Sequence, residues 1–327
     1  MSVLGIDLGG TKLASAVFNE NGSFLFRETV PLEGRSGKAV GKLVTDTITT
    51  LINKSEKKGG NISSIGISVP GISSTVKGTV WAPNITGWNE YPLMAEVRKI
   101  AGDIPVVIDN DRACYILGEV WMGSARGCRD AIFLAVGTGI GAGILVNGEI
   151  LRGSNDIAGA IGWMALDRPF RKIYTGCGCF EFHASGDGIA KVAREILVKN
   201  NSYSGILGKK DPESVTASDL FNAFEAGDPI AKKVINECIE FWGMAVANLV
   251  SLFNPGKIIL GGGVFGPAVK LIPAIRKEAF RWAQPVSIKQ VTIEASSLGG
   301  DAGVYGAGYL ALSNLKGYNL NKSDHIQ

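Results

Sequence analysis

The chain has 327 residues, enough for two domains with separate cores, and its 46% hydrophobic and 19% charged residues are ordinary for a globular protein. A formal net charge of +3 with scattered basic residues argues against a nucleic-acid partner, and the nearest cluster, Lys54, Lys57 and Lys58, reads as the solvated end of a helix. The N-terminus enters a strand at once, no apolar run is long enough for a membrane helix, and five cysteines without an export signal point to reduced thiols and the cytoplasm.

Residues 3–12 read VLGIDLGGTK, an apolar strand breaking at glycines that leave backbone N–H groups bare for an anion. A second strand, 13–18, runs to Asn21 and Gly22, so the opening unit is a hairpin, followed by a strand at 24–30. Residues 36–58 predict a helix with Val40, Leu43, Val44, Ile48, Leu51 and Ile52 on one face. Strands at 63–69 and 105–109 stop at Pro70-Gly71 and at Asn110-Asp111. In an α/β sheet, ligands bind beyond strand ends, which makes Gly71, Asn84, Asn110 and Asp111 candidate site residues. By position alone, Asp111 reads instead as the N-cap of a helix at 112–121.

The opening pattern returns as AIFLAVGTGIGAGI at 131–144, with a strand at 143–146 ending at Asn147-Gly148. A strand follows these glycines, so they are not a dinucleotide fingerprint, which needs a helix there; nor does the chain carry a GxxxxGK[ST] loop. After an irregular stretch at 152–186, helices are expected at 188–199, 218–227 and 228–254. A strand at 257–260 enters Gly261, Gly262 and Gly263, another spans 291–294, and a glycine-punctuated helix covers 301–313. Two glycine hairpins opening two lobes imply a phosphate clamp in a cleft.

The loop DLGGTK at 7–12, the loop GTGIGAG at 137–143, the glycine strand end at 260–263 and residues 301–308, in that order, resemble the phosphate and adenosine motifs of the actin, hexokinase and Hsp70 superfamily. Within it, VPG at 69–71, APN at 82–84, DND at 109–111 and GE at 118–119 are similar to the ROK group of sugar kinases and repressors. The resemblance covers nearly the whole chain. It implies an α/β, two-lobed actin-like ATPase (ribonuclease H-like) fold with a mixed sheet in each lobe and an inter-lobe cleft. The expected N-terminal lobe is 1–117, joined by a C-terminal helix at 301–327, and the expected C-terminal lobe is 118–300.

Carried over residue by residue, the resemblance makes Asp111 the general base toward a sugar hydroxyl, with Asn84 and Asn110 bonding other hydroxyls. A carboxylate beside the acceptor can take its proton and orient its oxygen toward the γ-phosphate of ATP. Asp7 would act near Mg2+ through water; Gly9, Gly10, Thr11, Lys12, Thr138 and Gly139 would surround the phosphates; Gly261, Gly262 and Gly263 would lie against the adenosine. A homodimer is also implied.

Departures from the family pattern fall in the sugar grip. Where the group carries Gly-Glu-x-Gly-His, this chain has GAIGW at 159–163, so Ala160 and Trp163 replace two hydroxyl-binding groups, while Glu181 matches the third. Losing such groups weakens or redirects glucose recognition, and Trp163 adds an apolar face. The family's structural zinc is also put in doubt, because only Cys177 and Cys179 remain of its ligands, with His183 nearby. Cys114, Cys128 and Cys238 read as buried small hydrophobes. The expected activity is ATP-dependent phosphorylation of a hexose or hexose-like hydroxyl, the alternative being a non-catalytic sugar-binding or sensor protein. A DNA-binding repressor is disfavoured, since only six residues precede Asp7.

Overall fold

The computed structural model describes residues 1–200 and 202–316. In chain order it begins β1 (Ser2–Leu8), β2 (Lys12–Asn19), β3 (Phe24–Pro31), α1 (Gly37–Glu56), β4 (Ile62–Val69), β5 (Ile72–Ser74), β6 (Thr79–Trp81), β7 (Asn89–Tyr91), α2 (Leu93–Ala101), β8 (Val106–Asn110) and α3 (Asp111–Met122). It continues β9 (Ala131–Val136), β10 (Ile140–Val146), β11 (Glu149–Ile150), α4 (Cys179–Ala184), α5 (Gly186–Lys199), α6 (Ala217–Glu225) and α7 (Pro229–Phe253). It ends β12 (Lys257–Gly261), α8 (Ile272–Trp282), α9 (Ser287–Gln290), β13 (Thr292–Ala295) and α10 (Ala302–Lys316). No helix among the described residues is long and apolar enough to cross a membrane.

The chain divides into two compact units. The first comprises Met1–Arg129, Gly143–Ala158 and the described residues from Gly300; the second comprises Asp130–Ala142 and Gly159–Gly299. The expected boundary at 117/118 falls inside α3, a continuous helix that stays whole within the first unit. Of the expected C-terminal helix at 301–327, α10 covers 302–316, and residues 317–327 lie outside the described residues.

The first unit holds a sheet of order β3-β2-β1-β4-β8. Short turns force β1, β2 and β3 to pair antiparallel, whereas the α1 and α2 crossovers bring β4 and β8 in parallel. Helix α1 buries Val40, Val44, Ile48 and Leu51 in the core it shares with the aliphatic residues of β1 and β2, each such side chain contributing about 1.5–3 kcal/mol. Helix α10 lies on β1, β4 and α3. There the backbones meet so closely that a Cβ on Gly66 would fall 2.0 Å from the Ala307 carbonyl oxygen, which explains the glycines along this seam.

The second sheet has the order β11-β10-β9-β12-β13, with β9, β12 and β13 parallel and β10 and β11 antiparallel. Both sheets therefore share one sequence of neighbours: a hairpin partner, the first strand, then two parallel strands. Asn147 and Gly148 both have positive φ, 53° and 83°, as the hairpin turn requires. The earlier turn is built differently, since the Asn19 side chain accepts from the amides of Asn21 and Ser23 and only Gly22 has positive φ. Helix α7 is stopped by Asn254 in the left-handed conformation and capped by the buried Asp228, whose Oδ1 accepts from the amides of Ile230 and Ala231. The three-stranded sheet β5-β6-β7 and helices α2, α4, α8 and α9 are not among the elements expected from the sequence, although α2 buries Leu93, Val97 and Ala101 and α8 buries Ile275 and Ala279 at helical spacing.

Candidate active site

The corner between β8 and α3 is built from three consecutive polar residues. Asn110 is extended at φ −71° and ψ 155°, and its Oδ1 accepts from the Ala113 amide at 3.0 Å. Asn110 is therefore the N-cap of α3, correcting the positional reading of Asp111 as the cap. The reason is geometric: the cap must precede the first helical residue and reach an amide three residues on. Asp109, 2% exposed, accepts at Oδ1 from the Asn110 amide at 2.8 Å and from Asn110 Nδ2 at 3.1 Å, and its Oδ2 lies 2.7 Å from Arg152 Nη2. Asn110 keeps one lone pair and one N–H for a ligand.

Asp111 is thereby left as the first helical residue, its Oδ1 accepting from the Arg112 amide at 2.8 Å. Burial pushes its carboxyl up to about 6, with the negative charge of Asp7 adding to the shift and Arg112 opposing it. Tyr115, one turn on, makes a side-chain hydrogen bond to Asp111. Such a group is ionised at neutral pH yet basic enough to accept a proton.

Asp7 ends β1 opposite Ser68 of β4 in the parallel register, and Ser68 Oγ donates to its Oδ1 at 2.7 Å. Burial raises the Asp7 carboxyl above its ordinary value, the Ser68 bond and Lys12 working against it. Gly9 donates its amide to the Lys12 carbonyl at 2.9 Å, leaving Gly10, Thr11 and Lys12 exposed at the tip. A Cβ on Gly10 would sit 3.7 Å from Asn84 Cβ, so the loop and Asn84 are neighbours. Gly71, at φ 91°, accepts at its carbonyl from Arg112 Nη2 at 3.2 Å. The structure thus gathers the glycine loop at 9–12, Asp7, Asn84 and the Asp111 corner within the first unit.

In the second unit, the loop at 137–139 is pinned from α4 and α5. The Gly186 amide donates to the Gly137 carbonyl at 2.8 Å, and Glu181 Oε2 accepts from the Ile140 amide at 2.6 Å. Glu181 also flanks Gly139 and Gly162, where an added Cβ would come within 2.7 Å and 2.9 Å of its Oε2. Burial raises its carboxyl above the ordinary value, the Ile140 bond opposing. Thr138 accepts at its carbonyl from the Asp187 amide at 3.4 Å. Gly262 has φ 91° and sits against the Val136 carbonyl, Gly261 faces the Phe133 ring, and Gly263 opens to free space. Trp163 is 57% exposed, so its ring face is available to a ligand.

Cys177 is half-buried and Cys179 buried, and burial raises the Cys177 thiol. His183 Nε2 hydrogen-bonds the Tyr174 hydroxyl at 2.8 Å while its ring stacks on Phe241 at 4.4 Å, so its packing holds the loop between Trp163 and α4. Among the described residues no group of three or more His, Cys, Asp or Glu side chains is placed to hold a metal ion. Cys114 and Cys238 are buried; Cys128 is only half-buried, in contrast to the expectation. Sequence reasoning missed Ser68, Arg112, Tyr115 and Arg152. Ser68 and Arg152 meet their partners across 61 and 43 residues, and nothing in their local sequence marks them.

Comparison with known proteins gives these features a class. The crystal structure of the ROK hexokinase from Thermus thermophilus is 29% identical, superposes with a TM-score of 0.78 and is covered over 97% of this chain and 100% of that one. The ROK family glucokinase from Streptomyces griseus in complex with glucose and AMPPNP is 28% identical with a TM-score of 0.74, over 96% of this chain and 100% of that one. The glucokinase of Halalkalibacterium halodurans is 32% identical over 314 residues, 94% of each chain. Paired glycine hairpins on two mixed sheets, with these relatives, define an ATP-dependent sugar kinase of the actin-like ATPase fold. A model of the ROK family matches residues 3–314, and the chain belongs to that family.

Proposed function

We propose that this kinase transfers the γ-phosphoryl group of ATP to a hydroxyl of a hexose-like acceptor, with Asp111 as general base. The observation that carries the reading is the Asp111 carboxyl, held at the start of α3 and raised to about 6. The acceptor oxygen attacks the γ-phosphorus as its proton passes to Asp111, and the bond to the β-phosphate oxygen breaks to release ADP. The family resemblance assigns Gly9, Gly10, Thr11, Lys12, Thr138 and Gly139 to the phosphates, and in the first unit the exposed tip Gly10, Thr11 and Lys12 offers amides, a hydroxyl and a cation for that role. Gly261, Gly262 and Gly263 offer side-chain-free backbone to the adenosine.

Asp7 fits Mg2+. Its Oδ1 is held by Ser68 and its carboxylate packs against Gly303, where a Cβ would fall 2.3 Å from Oδ2, so the glycine makes room for a buried carboxylate, the hard oxygen donor that Mg2+ takes. Asp7 would hold the ion through water, and the ion would neutralise charge on the phosphates.

For the acceptor, this reading takes Gly71, Asn84 and Asn110 of the first unit as contacts, and the family resemblance gives Glu181 and Trp163 of the second unit a part in acceptor recognition. The Streptomyces griseus relative binds glucose, but Ala160 and Trp163 here supply an apolar wall in place of two hydroxyl-binding groups. An acceptor altered at the C1/C2 end, an anhydrosugar or a cyclitol fits better than glucose. The free thiols and modest charge agree with a cytoplasmic enzyme acting on small molecules rather than nucleic acid, and the family resemblance favours a homodimer. The deciding experiment is Asp111→Asn. It should bind ligands yet lose about 100-fold or more in kcat, and unchanged turnover would remove Asp111 as base.

A further inference from the structure

Arg152 has no part in the phosphate or acceptor contacts, yet it is tied to the residue that shapes the catalytic corner. It lies two residues past β11, on a segment fastened to the first unit at a second point, where Asp156 Oδ2 accepts from the Thr75 amide at 3.1 Å and its hydroxyl at 3.0 Å. From there its guanidinium reaches Asp109 at 2.7 Å. The two partners are unequally placed: the Asp109 side chain is 2% exposed and the Arg152 side chain 37%. Asp109 is thus the member that cannot be left without a counter-charge.

Its other oxygen does local work. Asp109 Oδ1 holds both the amide and the Nδ2 of Asn110, and Asn110 Oδ1 in turn caps α3. A chain of polar contacts therefore runs Arg152, Asp109, Asn110, Ala113 amide. Asp111 sits inside that chain, with backbone position set on both sides. We propose that Arg152 is a positioning residue for phosphoryl transfer, holding the Asp109 carboxylate so that the Asn110 cap aims Asp111 at the acceptor.

The inference rests on Asp111 acting as base. The other charged or titratable groups around the corner are Asp7, Cys114, Arg112, Tyr115 and Asp156. Removing the guanidinium leaves the Asp109 charge uncompensated among them, which disfavours ionisation of Asp111.

The test is steady-state kinetics against pH for four proteins: the parent, Arg152→Lys, Arg152→Met and the double variant Asp109→Asn with Arg152→Met. Arg152→Met should lose about tenfold or more in kcat with the KM for ATP within about twofold. Its acid limb should move toward neutral pH. Arg152→Lys should restore the limb and part of the kcat. The double variant, which buries no unpaired charge, should return the limb to the parent position. A kcat within about twofold of the parent in Arg152→Met overturns the proposal, as does a loss of kcat with an unmoved limb. If Arg152→Met does not fold, the double variant decides: kcat lowered about tenfold supports the role, and parental kcat rejects it. Asp111→Asn separates the two ideas. If that variant turns over normally, the base reading falls; if it is inactive while every Arg152 variant is fully active, only the positioning role falls.

Discussion

Asp111 combines two properties that pull against each other. Burial raises its carboxyl from an ordinary 3.8 to about 6, so the ionised form that the proposed base role requires is held in a site that disfavours ionisation. As the proposed base, Asp111 would act in its ionised form, and kcat/KM should then fall about tenfold per pH unit below about 6; a profile flat to pH 5 would contradict this. The stability effect has the opposite sign. The unfolded chain releases this proton first, so stability drains away as pH rises from about 4 to about 6 and stays lower above it. Asp111→Asn, which never ionises, should melt higher than the parent at pH 7.5, by up to about 3 kcal/mol. An inactive but more stable variant is the expected result, and a lower melting temperature would argue against the raised value. The candidate base was legible in the sequence because it follows a strand end, whereas its division of labour with Asn110 was not, because a shift of one residue exchanges cap and base.

At the scale of elements, one contact in each unit supports the candidate site residues of that unit. The first is the seam between α10 and the first sheet, where Gly66 has no room for a methyl group. Gly66→Ala should cost about 1–3 kcal/mol or more by overpacking, measured by urea unfolding. A neutral effect would mean that α10 can shift freely. The second is Glu181, which holds the Ile140 amide beside the second glycine loop. Glu181→Ala should raise the KM for ATP about tenfold or more, since a charge-assisted bond to the loop is lost; Glu181→Gln, which keeps an oxygen acceptor, should recover much of it. An unchanged KM for ATP in the alanine variant would confine Glu181 to the acceptor. The hairpins, α1 and α7 were readable from periodicity and turn residues. Strands β5 to β7, of three residues each, were not, because such short strands owe their form to pairing rather than to local pattern.

Across the whole molecule, the proposed reading makes Ala160 and Trp163 the residues that set which acceptor is taken. A panel of hexoses, N-acetylhexosamines, anhydrosugars and cyclitols should show glucose as a poor acceptor, and Ala160→Glu with Trp163→His should improve it. Efficient glucose phosphorylation by the parent protein would contradict the altered grip. The order of glycine loops along the chain made the two-sheet architecture legible. The division into units was less so, because the chain passes from one to the other at 129/130, 142/143, 158/159 and 299/300, and no composition change marks those points. This layout bears on synthesis. The ribosome completes β1, β4 and α3 long before α10, which closes the glycine seam over them. Until α10 has been made, the apolar and backbone surface of that seam lacks its cover, so the nascent chain should depend on a chaperone up to that point.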